Sequence, residues 1–541
     1  MRTALASLAS AALLLVAEVP AAPAYQAVFD VEDPCFEIIG GLWTLRNDAQ
    51  RLAYYYFTTT GPGTGEGRVR WIAEGLPAGT YLIEHWVAQA DYPSDARFQV
   101  ISADGVSDLQ VDMNHLTNGW HPIGTFNVER TCVVNLSDHW EGAGTLLGAD
   151  ALRFTLTSSL PPPPPTSVPP HIGLCIDDVG AANPLTPTTP IHQMLRLPFA
   201  MTYAVLPLRT YTAESAEEIH RLGSEVILHQ PMAAITIPDP GAGGISDTMT
   251  LDQVRATLAA NLDALPHVAG MNNHTGSLVT QRADKMAACM EVLEARDLYF
   301  FDSRTFTLSV AFDEGRRAGL FTAERDIFID GNSQAEAMAL IRALALRALH
   351  APEIPHLGIG HVRSGTSAAL AAMVPELESM GVEVWPVSRC LSEIVEAGVP
   401  VRGTSIETVG SWTSEERDAH SHLLRDGEAL AARGSGEHRA RFAARLNFSG
   451  VCDVYAIWPS DASGEASATA RIAHLGGSTA VPIDQSQGGD TWHHLGQFSF
   501  SREASAEVTV EAASPEGTLW ADAVRFDWRG PLPDPVGQML R

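Results

Sequence analysis

Two consecutive aspartates, Asp177 and Asp178, follow a short apolar run in the segment HIGLCIDDVG at residues 171–180. The run is typical of a strand that is covered on both faces, and parallel α/β folds collect their ligands at the carboxyl ends of such strands. Adjacent carboxylates repel each other unless a cation or a proton stabilises the pair. The segment therefore predicts either a cation site or an ordinary turn, because Asp and Gly are also common turn residues.

Polar residues also end the other predicted strands between residues 171 and 398. They are His229 in LHQPM; Asn272, Asn273, His274 and Ser277 in GMNNHTGS; Asp302 and Arg304 in FFDSRT; Arg325, Asp326 and Asp330 in RDIFIDG; and His361 in GIGH. Such side chains are costly to bury without partners, and one rim of a barrel would collect all of them. Their recurrence at several strand ends favours a functional site over unrelated core or surface residues.

The residue types indicate which chemistry this site would perform. One aspartate and two histidines from different strands are a common ligand set for zinc or a related divalent cation, with a position left open for water. A second carboxylate beside the metal can accept a proton, and a histidine on the opposite side can donate one to the leaving group. The set predicts metal-assisted hydrolysis of an amide or an ester. The sequence has no G-x-S-x-G elbow and no phosphate-binding loop, which disfavours acyl-enzyme and nucleotide chemistry.

The elements that must position these residues alternate between strand-like and helix-like segments. Strand-like runs include residues 201–208, 225–232, 298–304, 326–331, 356–361 and 382–388, and helix-like runs include residues 213–223 and 335–349. Repeated β-then-α units predict a parallel α/β fold, and about seven strands favour a barrel over an open sheet.

Two β-rich regions flank this α/β domain of residues 171–398. Residues 25–158 show the short strands and Gly/Pro turns of an antiparallel β-sandwich, and the prolines of residues 159–170 predict an extended linker. Four elements of the first flank recur in order in the second: GLW at 41–43 and GSW at 410–412, YLIEHW at 81–86 and DVYAIW at 453–458, GWHPIGTF at 119–126 and DTWHHLGQF at 490–498, and ADALRF at 149–154 and ADAVRF at 521–526. Residues 405–529 are therefore expected to form a second sandwich of the same kind, followed by a tail at 530–541.

Composition and the N-terminus indicate where the protein acts and what it binds. Lys plus Arg number 35 and Asp plus Glu number 64, so the formal net charge of −29 disfavours nucleic acid and anionic lipid as partners. Residues 1–24 have the three parts of a secretory signal peptide, and no other segment approaches a membrane span. We expect an exported protein, periplasmic or extracellular, whose Cys35 and Cys132 are candidates for a disulfide.

In this order, IDDVG, LHQPM, GMNNHTGS, FFDSRT, RDIFID and GIGH resemble the divergent polysaccharide deacetylase family, a distant branch of the metal-dependent polysaccharide deacetylases. The resemblance covers residues 171–392 and implies a distorted seven-stranded β/α barrel. By analogy it implies these roles: Asp177 as the base and His361 as the acid; Asp178, His229 and His274 as ligands of a divalent metal, with zinc expected; and Asn272, Asn273, Ser277, Asp302 and Arg304 as residues that shape the substrate site or orient the base. Thr275 stands where the family usually carries Met, a departure that concerns the pocket wall rather than the ligands.

The two flanks resemble the golvesin C-terminal-like, xanthan-lyase-associated domain, a β-sandwich held to be a carbohydrate- or surface-binding module. The resemblance rests on the Trp, Trp-x-x-x-Gly-x-Phe and Ala-Asp-Ala-x-Arg-Phe elements. Sugar stacking is one role for the tryptophans Trp86, Trp120, Trp458 and Trp492, but burial in the sandwich core is the commoner role and the one that we expect.

Together, the sequence predicts an exported metal-dependent hydrolase that removes N- or O-acetyl groups from a polysaccharide or cell-envelope glycan. Two sandwich modules would place the enzyme on that glycan. The alternative is a catalytically silent glycan-binding envelope protein whose barrel keeps its shape without turnover. Metal binding distinguishes the two hypotheses, because a barrel without affinity for a metal has no means of running this reaction.

Overall fold

The computed structural model describes residues 25–532 except 32, 42, 47–55, 66, 88–91, 115, 160–167, 182–183, 400, 418–420, 422, 425–426, 447 and 514. The predicted signal peptide, most of the predicted linker and most of the predicted tail therefore lie outside the described residues. None of the helices in the described ranges is both long enough and apolar enough to cross a membrane.

The N-terminal region is an antiparallel β-sandwich, as predicted. Its described strands are β1 (Gln26–Asp30), β2 (Phe36–Ile38), β3 (Thr44–Arg46), β4 (Tyr56–Thr59), β5 (Arg68–Ala73), β6 (Gly79–Val87), β7 (Ala96–Ser102), β8 (Gly105–Val111), β9 (Gly119–Val128), β10 (Cys132–Ser137), β11 (Leu147–Ala149) and β12 (Ala151–Ser159). They form sheets in the orders β1-β12-β6-β9, β2-β5-β10-β7-β8 and β11-β4-β3. Buried residues of these strands form a shared core that includes Trp71, Tyr81 and Phe154.

The middle region alternates strands and helices. Its elements are β13 (His171–Val179), α1 (Pro190–Met194), β14 (Thr202–Val205), α2 (Thr212–Arg221), β15 (Glu225–Met232), α3 (Leu251–Asp263), β16 (Val268–Thr275), α4 (Ala283–Glu294), β17 (Tyr299–Asp302), α5 (Ala311–Arg317), β18 (Thr322–Glu324), β19 (Ile327–Phe328), α6 (Gln334–His350), β20 (Leu357–His361), α7 (Ser364–Met380), β21 (Glu383–Trp385) and a 3₁₀ helix (Val387–Cys390). The strands are parallel in the order β19-β20-β13-β14-β15-β16-β17-β18, and β21 also pairs with β13. The predicted β/α class is therefore confirmed.

The closure of this sheet differs from the expectation of a seven-stranded barrel. Within the described backbone, the strand pairs form an open series from β19 to β18, and no ladder joins the two ends directly. The two ends are nevertheless close in the chain, because β18 ends at Glu324 and β19 begins at Ile327. The segment 322–328 thus pairs with β17 through its first half and with β20 through its second.

Local sequence accounts for the helix ends in this region. Thr250 and Gln253 form a capping box at the start of α3, in which each side chain accepts a hydrogen bond from the other's backbone N–H. Ser333 caps α6 by accepting a hydrogen bond from the backbone of Glu336. Gly381, at a φ of 69°, ends α7 in the left-handed conformation that glycine adopts without steric cost.

The C-terminal region repeats the first sandwich strand for strand. Its described strands are β22 (Ser392–Glu396), β23 (Thr404–Val409), β24 (Trp412–Arg417), β25 (Gly427–Ala432), β26 (His438–Ala444), β27 (Gly450–Ile457), β28 (Ala468–His474), β29 (Gly477–Ile483), β30 (His493–Phe500), β31 (Ala506–Ala512), β32 (Leu519–Ala521) and β33 (Ala523–Gly530). The orders β22-β33-β27-β30, β23-β26-β31-β28-β29 and β24-β25-β32 correspond to those of the first sandwich. Strand β22 pairs with β33 as β1 pairs with β12, so β22 is the counterpart of β1. Its residues fall within the range 171–398 that the sequence predicted for the middle domain.

The repeated sequence motifs have the same packing role in both sandwiches. The guanidinium of Arg153 lies over the ring of Trp120 at 4.7 Å, and that of Arg525 lies over Trp492 at 4.6 Å. Trp492 is 4% exposed. Trp458 and Trp492 are buried, as expected for core residues, and Trp86 and Trp120 are half-buried with an edge-on contact to each other at 5.2 Å.

The candidate disulfide between Cys35 and Cys132 is not formed. Both residues are free and buried. Strands β2 and β10 pair with opposite edges of β5, with Cys132 opposite Ala73 and the carbonyl of Cys35 bonded to Ile72. Two strand spacings separate the cysteines by about 9–10 Å, which exceeds the Cα separation that a disulfide spans.

Candidate active site

Asp177 and Asp178 both reach one site, although successive strand residues normally point to opposite faces. The backbone of Asp178 has a φ of 65°, in the left-handed region. The register between β13 and β14 also shifts between Ile176 and Val179, which is the mark of a β-bulge. This bulge turns Asp178 so that a carboxylate oxygen of each aspartate lies within 3.7 Å of Nε2 of His229.

The structure brings together the three residues predicted to bind a metal. Asp178 and His274 lie at the penultimate positions of β13 and β16, and His229 lies in the second half of β15; the ligand atoms of the three residues all lie within 4.8 Å of one another. Oδ1 of Asp178 is 3.5 Å from Nε2 of His229 and 3.2 Å from Nδ1 of His274. The two ring nitrogens are 3.0 Å apart. The parallel strand order therefore produces the convergence that the sequence predicted.

Asn272 fixes the orientation of two of these groups at once. Its Nδ2 donates to Oδ1 of Asp177 at 2.9 Å, and its Oδ1 is 2.7 Å from Nδ1 of His229. Because the amide nitrogen donates to Asp177, the amide oxygen, which only accepts, faces His229. Nδ1 of His229 is then the protonated nitrogen, and Nε2 presents its lone pair to the cluster.

The donor chemistry of this cluster fits a divalent cation. Burial opposes ionisation of Asp178, but the neighbouring imidazoles of His229 and His274 outweigh it, so the pKa of this carboxyl is lowered overall. Oδ1 of Asp178 is buried and receives no hydrogen bond of standard geometry from the described residues, despite its closeness to both rings. Two imidazole nitrogens and one carboxylate oxygen are a ligand set of open zinc sites.

His361 lies beside the aspartates and is oriented by Asp330. Asp177 and His361 are register partners on the neighbouring parallel strands β13 and β20. Nδ1 of His361 hydrogen-bonds to Oδ2 of Asp330, and Oδ1 of Asp330 accepts from the backbone N–H of His361 and from the hydroxyl of Thr366. Burial lowers the pKa of His361, but the hydrogen bond to Asp330 and the charge of Asp177 outweigh burial, so the pKa is raised overall. Nε2 is the ring nitrogen left to transfer a proton.

Asn273 and Ser277, two of the residues predicted to shape the substrate site, bond to loop backbone at the rim. Nδ2 of Asn273 donates to the carbonyl of Thr275, and its Oδ1 accepts from the backbone of Ser303. Oγ of Ser277 accepts from the backbone N–H of Ile235 at 3.1 Å. These contacts connect the loops that follow β15, β16 and β17.

Asp302 and Arg304 likewise make contacts within the rim rather than with Asp177. Asp302 is buried and accepts hydrogen bonds from the backbone of Arg304 and from Oγ of Ser309, both at 2.7 Å. Burial raises the pKa of Asp302. Arg304, at a φ of 42°, pairs with Glu324 at 2.8 Å. Both residues hold the turn after β17, and neither is bonded to the predicted base in the described structure.

The sequence alone predicted no role for Asp330 and Thr366 in orienting His361. Asp330 was recognised as a strand-end carboxylate, but its pairing with His361 depends on the position of β19 next to β20. Asn272 was assigned to the substrate, whereas its contacts are with Asp177 and His229. Asn272 lies two residues before His274, a predicted metal ligand, and this spacing is the feature of the sequence that indicates a position beside the metal site.

The comparisons with known proteins agree with this architecture. The divergent polysaccharide deacetylase profile matches residues 174–391, and the golvesin C-terminal domain profile matches residues 27–156 and 401–528. The uncharacterized protein YibQ of Escherichia coli is 31% identical over 189 residues, which are 34% of this chain and 58% of YibQ. An uncharacterized protein of Haemophilus influenzae is 30% identical over 204 residues, which are 37% of this chain and 70% of the relative.

A crystal structure of an uncharacterized protein from Agrobacterium tumefaciens is 16% identical, with a TM-score of 0.38, and the match covers 42% of this chain and 90% of that one. The chain spans little more than half the length of YibQ, so the activities of whole relatives do not transfer to it. The family assignment rests on the profile and on the relative from H. influenzae. Through residues 174–391 the chain belongs to the divergent polysaccharide deacetylase family, and golvesin C-terminal domains flank that domain on both sides.

Proposed function

We propose that the protein is an exported, metal-dependent hydrolase that removes acetyl groups from a polysaccharide. The observation that carries the proposal is the convergence of Asp178, His229 and His274 beside Asp177 at the ends of parallel strands. Membership of a polysaccharide deacetylase family supports the reaction class. Residues 1–24, which resemble a signal peptide, support export to the periplasm or the extracellular space.

The three converging residues would hold the cation, and Asp177 would act as the base. Oδ1 of Asp178, Nε2 of His229 and Nδ1 of His274 are the ligand atoms in this assignment. A divalent cation, zinc in our expectation, would supply Lewis-acid polarisation of the acetyl carbonyl. Asn272 anchors Oδ1 of Asp177, which leaves Oδ2 facing the cluster to take the proton of the attacking water.

His361 would complete the reaction as the acid. Its proton goes to the leaving nitrogen or oxygen of the sugar as the bond to the acetyl carbon breaks, so that acetate and a free amine or hydroxyl are released. Asp330 holds the ring and favours its protonated form. The same geometry serves amide and ester substrates, because both leaving groups need one proton.

Exposed aliphatic side chains on the rim support a sugar polymer as the substrate. Leu208 follows β14, Ile235 and Ile237 follow β15, and Leu308 follows β17, and each is at least 40% exposed. Loops at the carboxyl ends of parallel strands share one edge of the sheet with the site. Such side chains would contact the C–H faces of sugar rings, while the net charge of −29 disfavours a polyanionic substrate.

Acetate release by the purified protein tests this proposal. An acetylated chitin oligosaccharide and an acetylated xylan would be supplied with added zinc or cobalt, and acetate would be measured over time. Asp177→Asn should lower the rate by about 10²-fold or more, because general-base catalysis contributes at least that much. Asp252→Asn, at an exposed surface position, is the matched control and should retain full activity.

Two results would reject the proposal. Acetate release that survives Asp177→Asn would remove the assigned base. A wild-type protein that takes up no divalent metal at equilibrium, and releases no acetate with metal in excess, would leave the silent glycan-binding hypothesis in its place.

A further inference from the structure

The outer face of the first sandwich carries a cavity of about 600 Å³. It lies on the sheet β2-β5-β10-β7-β8, in a different domain from the deacetylase motifs. Its volume is in the range of roughly 300–1,000 Å³ that small-molecule sites occupy. Most of its lining residues are polar, which distinguishes it from a gap in apolar packing.

A row of three polar side chains crosses the strands at the floor of this cavity. The register places Asn135 of β10 opposite Gln99 of β7, and Gln99 opposite Asp108 of β8. Nδ2 of Asn135 donates to Oε1 of Gln99 at 3.2 Å, and Nε2 of Gln99 donates to Oδ1 of Asp108 at 2.9 Å. Arg97 and Gln110 form the next pair on the same face, because residues two apart in a strand point the same way.

Two polar atoms of residues that line the cavity have no hydrogen-bond partner among the described residues. Asn135 is 5% exposed, and its Oδ1 accepts no hydrogen bond from any residue that the structure describes. Nε of Arg97 is likewise buried without an acceptor in the described part of the chain. An unpaired buried polar atom costs roughly 1–3 kcal/mol. A ligand with both hydroxyl donors and hydroxyl acceptors would satisfy these atoms.

The second sandwich shows what the same sheet looks like without such a row. By register, Thr509 occupies the place of Asn135, and Arg471 the place of Gln99. Ala480 stands opposite Arg471, where the first sandwich has Asp108. Arg471 forms an ion pair with Glu511 at 2.6 Å, so its charge is satisfied within the sheet. The row of amides is therefore a feature of the first copy and not of the shared fold.

We propose that this cavity, which we call the amide cavity, binds neutral sugar residues of the glycan on which the barrel acts. The amides of Asn135 and Gln99 each offer a donor and an acceptor, as a pair of sugar hydroxyls requires. The two arginines of the lining, Arg68 and Arg97, are balanced in number by the carboxylates of Asp108 and of Glu141, which pairs with Arg97 at 3.0 Å, so the cavity has no excess positive charge to favour an anionic sugar. The glycan as ligand rests on the proposed function, but the site itself performs no chemistry.

Binding of oligosaccharides by the full chain tests the amide cavity. Hexamers of β-1,4-linked N-acetylglucosamine and of β-1,4-linked glucose would be titrated calorimetrically. Asn135→Leu and Gln99→Ala should lower the affinity for at least one probe tenfold or more. Thr509→Leu and Arg471→Ala, at the matching positions of the second sandwich, should leave it unchanged. Gln110→Ala, at an exposed position, is a further loss-of-affinity variant that does not disturb the core.

The titrations would use Asp177→Asn with a chelator present, so that neither hydrolysis nor metal contributes to binding. Thermal unfolding would show that each variant keeps the wild-type fold. If the parent Asp177→Asn protein binds neither probe, the amide cavity is overturned. The same holds if adding Asn135→Leu or Gln110→Ala leaves the affinity of that parent unchanged. Binding that depends on Asn135 in a protein that releases no acetate would instead refute the proposed hydrolase and leave the amide cavity standing.

Discussion

At the scale of single residues, Asn272 organises the site. Its amide nitrogen donates a hydrogen bond to Asp177, the proposed base, and its amide oxygen faces His229, a proposed metal ligand. The orientation of both groups therefore depends on this one side chain. Partners of this kind hold a histidine ligand in one tautomer and one orientation. Asn272 is fully buried, which keeps both hydrogen bonds out of competition with water.

We expect Asn272→Leu to weaken zinc binding by about 10–100-fold, which is the usual cost of losing the partner of a ligand. Zinc affinity measured by chelator competition checks this. Asn273→Leu is the matched control: its contacts are with loop backbone, so it should lower thermal stability while the zinc affinity stays within about twofold. Equal zinc affinity in Asn272→Leu and wild type would contradict the positioning role.

The pair His361–Asp330 makes a prediction about pH. Burial lowers the pKa of His361, while Asp330 is the first of the groups that raise it, and the net shift is upward. A general acid must be protonated, so activity falls as pH rises through this pKa. Asp330→Asn keeps a hydrogen-bond acceptor but removes the charge, and the alkaline limb of the kcat profile should move to lower pH. An alkaline limb that stays in place would exclude His361 as the acid.

At the scale of elements, the bulge at the end of β13 is what allows two neighbouring aspartates to share one site. Thr275 at the end of β16 and Arg304 just after β17 also have positive φ values, of 55° and 42°. Three of the strand ends that carry the site thus contain a non-glycine residue in the left-handed region, although such residues also occur elsewhere in the described chain, as at Asp490. Such strain persists only where surrounding contacts enforce it, and it commonly marks functional sites.

The strain at Asp178 predicts an order of stabilities. Asp178→Gly and Asp178→Ala both remove the carboxylate, but only glycine adopts a φ of 65° without a steric penalty. The free energy of unfolding should be higher for the glycine variant by about 1–2 kcal/mol. Urea denaturation compares the two variants directly, and a more stable alanine variant would show that the left-handed conformation is absent.

At the scale of the whole molecule, the β/α domain and the second sandwich share one hydrogen-bonded sheet. Strand β22 pairs with β33 along its whole length and also meets β18 through Thr322 and Ser392. The first sandwich contacts the β/α domain through side chains, including Arg347, whose guanidinium lies 4.6 Å from the ring of Phe29. The second sandwich is therefore continuous with the β/α domain, whereas the first is packed against it.

Glu393, buried in β22, makes the stability of this shared sheet depend on pH. Burial raises the pKa of Glu393 to about 8, against the opposing charge of Arg316. The folded protein thus keeps a proton that the unfolded chain loses near pH 4.3, and the free energy of unfolding falls as pH rises through this window up to about 8.

Glu393→Gln should remove that fall. Its free energy of unfolding should exceed that of wild type by on the order of 5 kcal/mol above the window, because each pKa unit corresponds to about 1.4 kcal/mol. Urea denaturation at acidic and alkaline pH measures it. If Glu393 is instead ionised in the folded state, the free energy of unfolding will depend on pH in the same way in Glu393→Gln and in wild type. That result would reject the prediction.

The sequence by itself determined the class of each domain, the repeat and the set of candidate ligands. Strand periodicity and turn residues are local, and parallel strands bring their carboxyl ends to one edge whatever the details of packing. That rule placed the candidate aspartates and histidines at one edge, and the resemblance to the deacetylase family selected Asp178, His229 and His274 among them as the metal ligands. The duplication of the flanks was likewise visible in the order of their motifs.

Only the tertiary structure decided which side chains bond to which. Whether Asn272 faces substrate or Asp177, whether Asp302 reaches the base, and whether Asp330 meets His361 depend on distances of about 3 Å between strands that are distant in sequence. A shift of a strand by one residue would reverse each of these answers, because it turns every side chain to the other face. For the same reason the pairing of β22 with β33, and the row of amides on the first sandwich, became visible only in three dimensions.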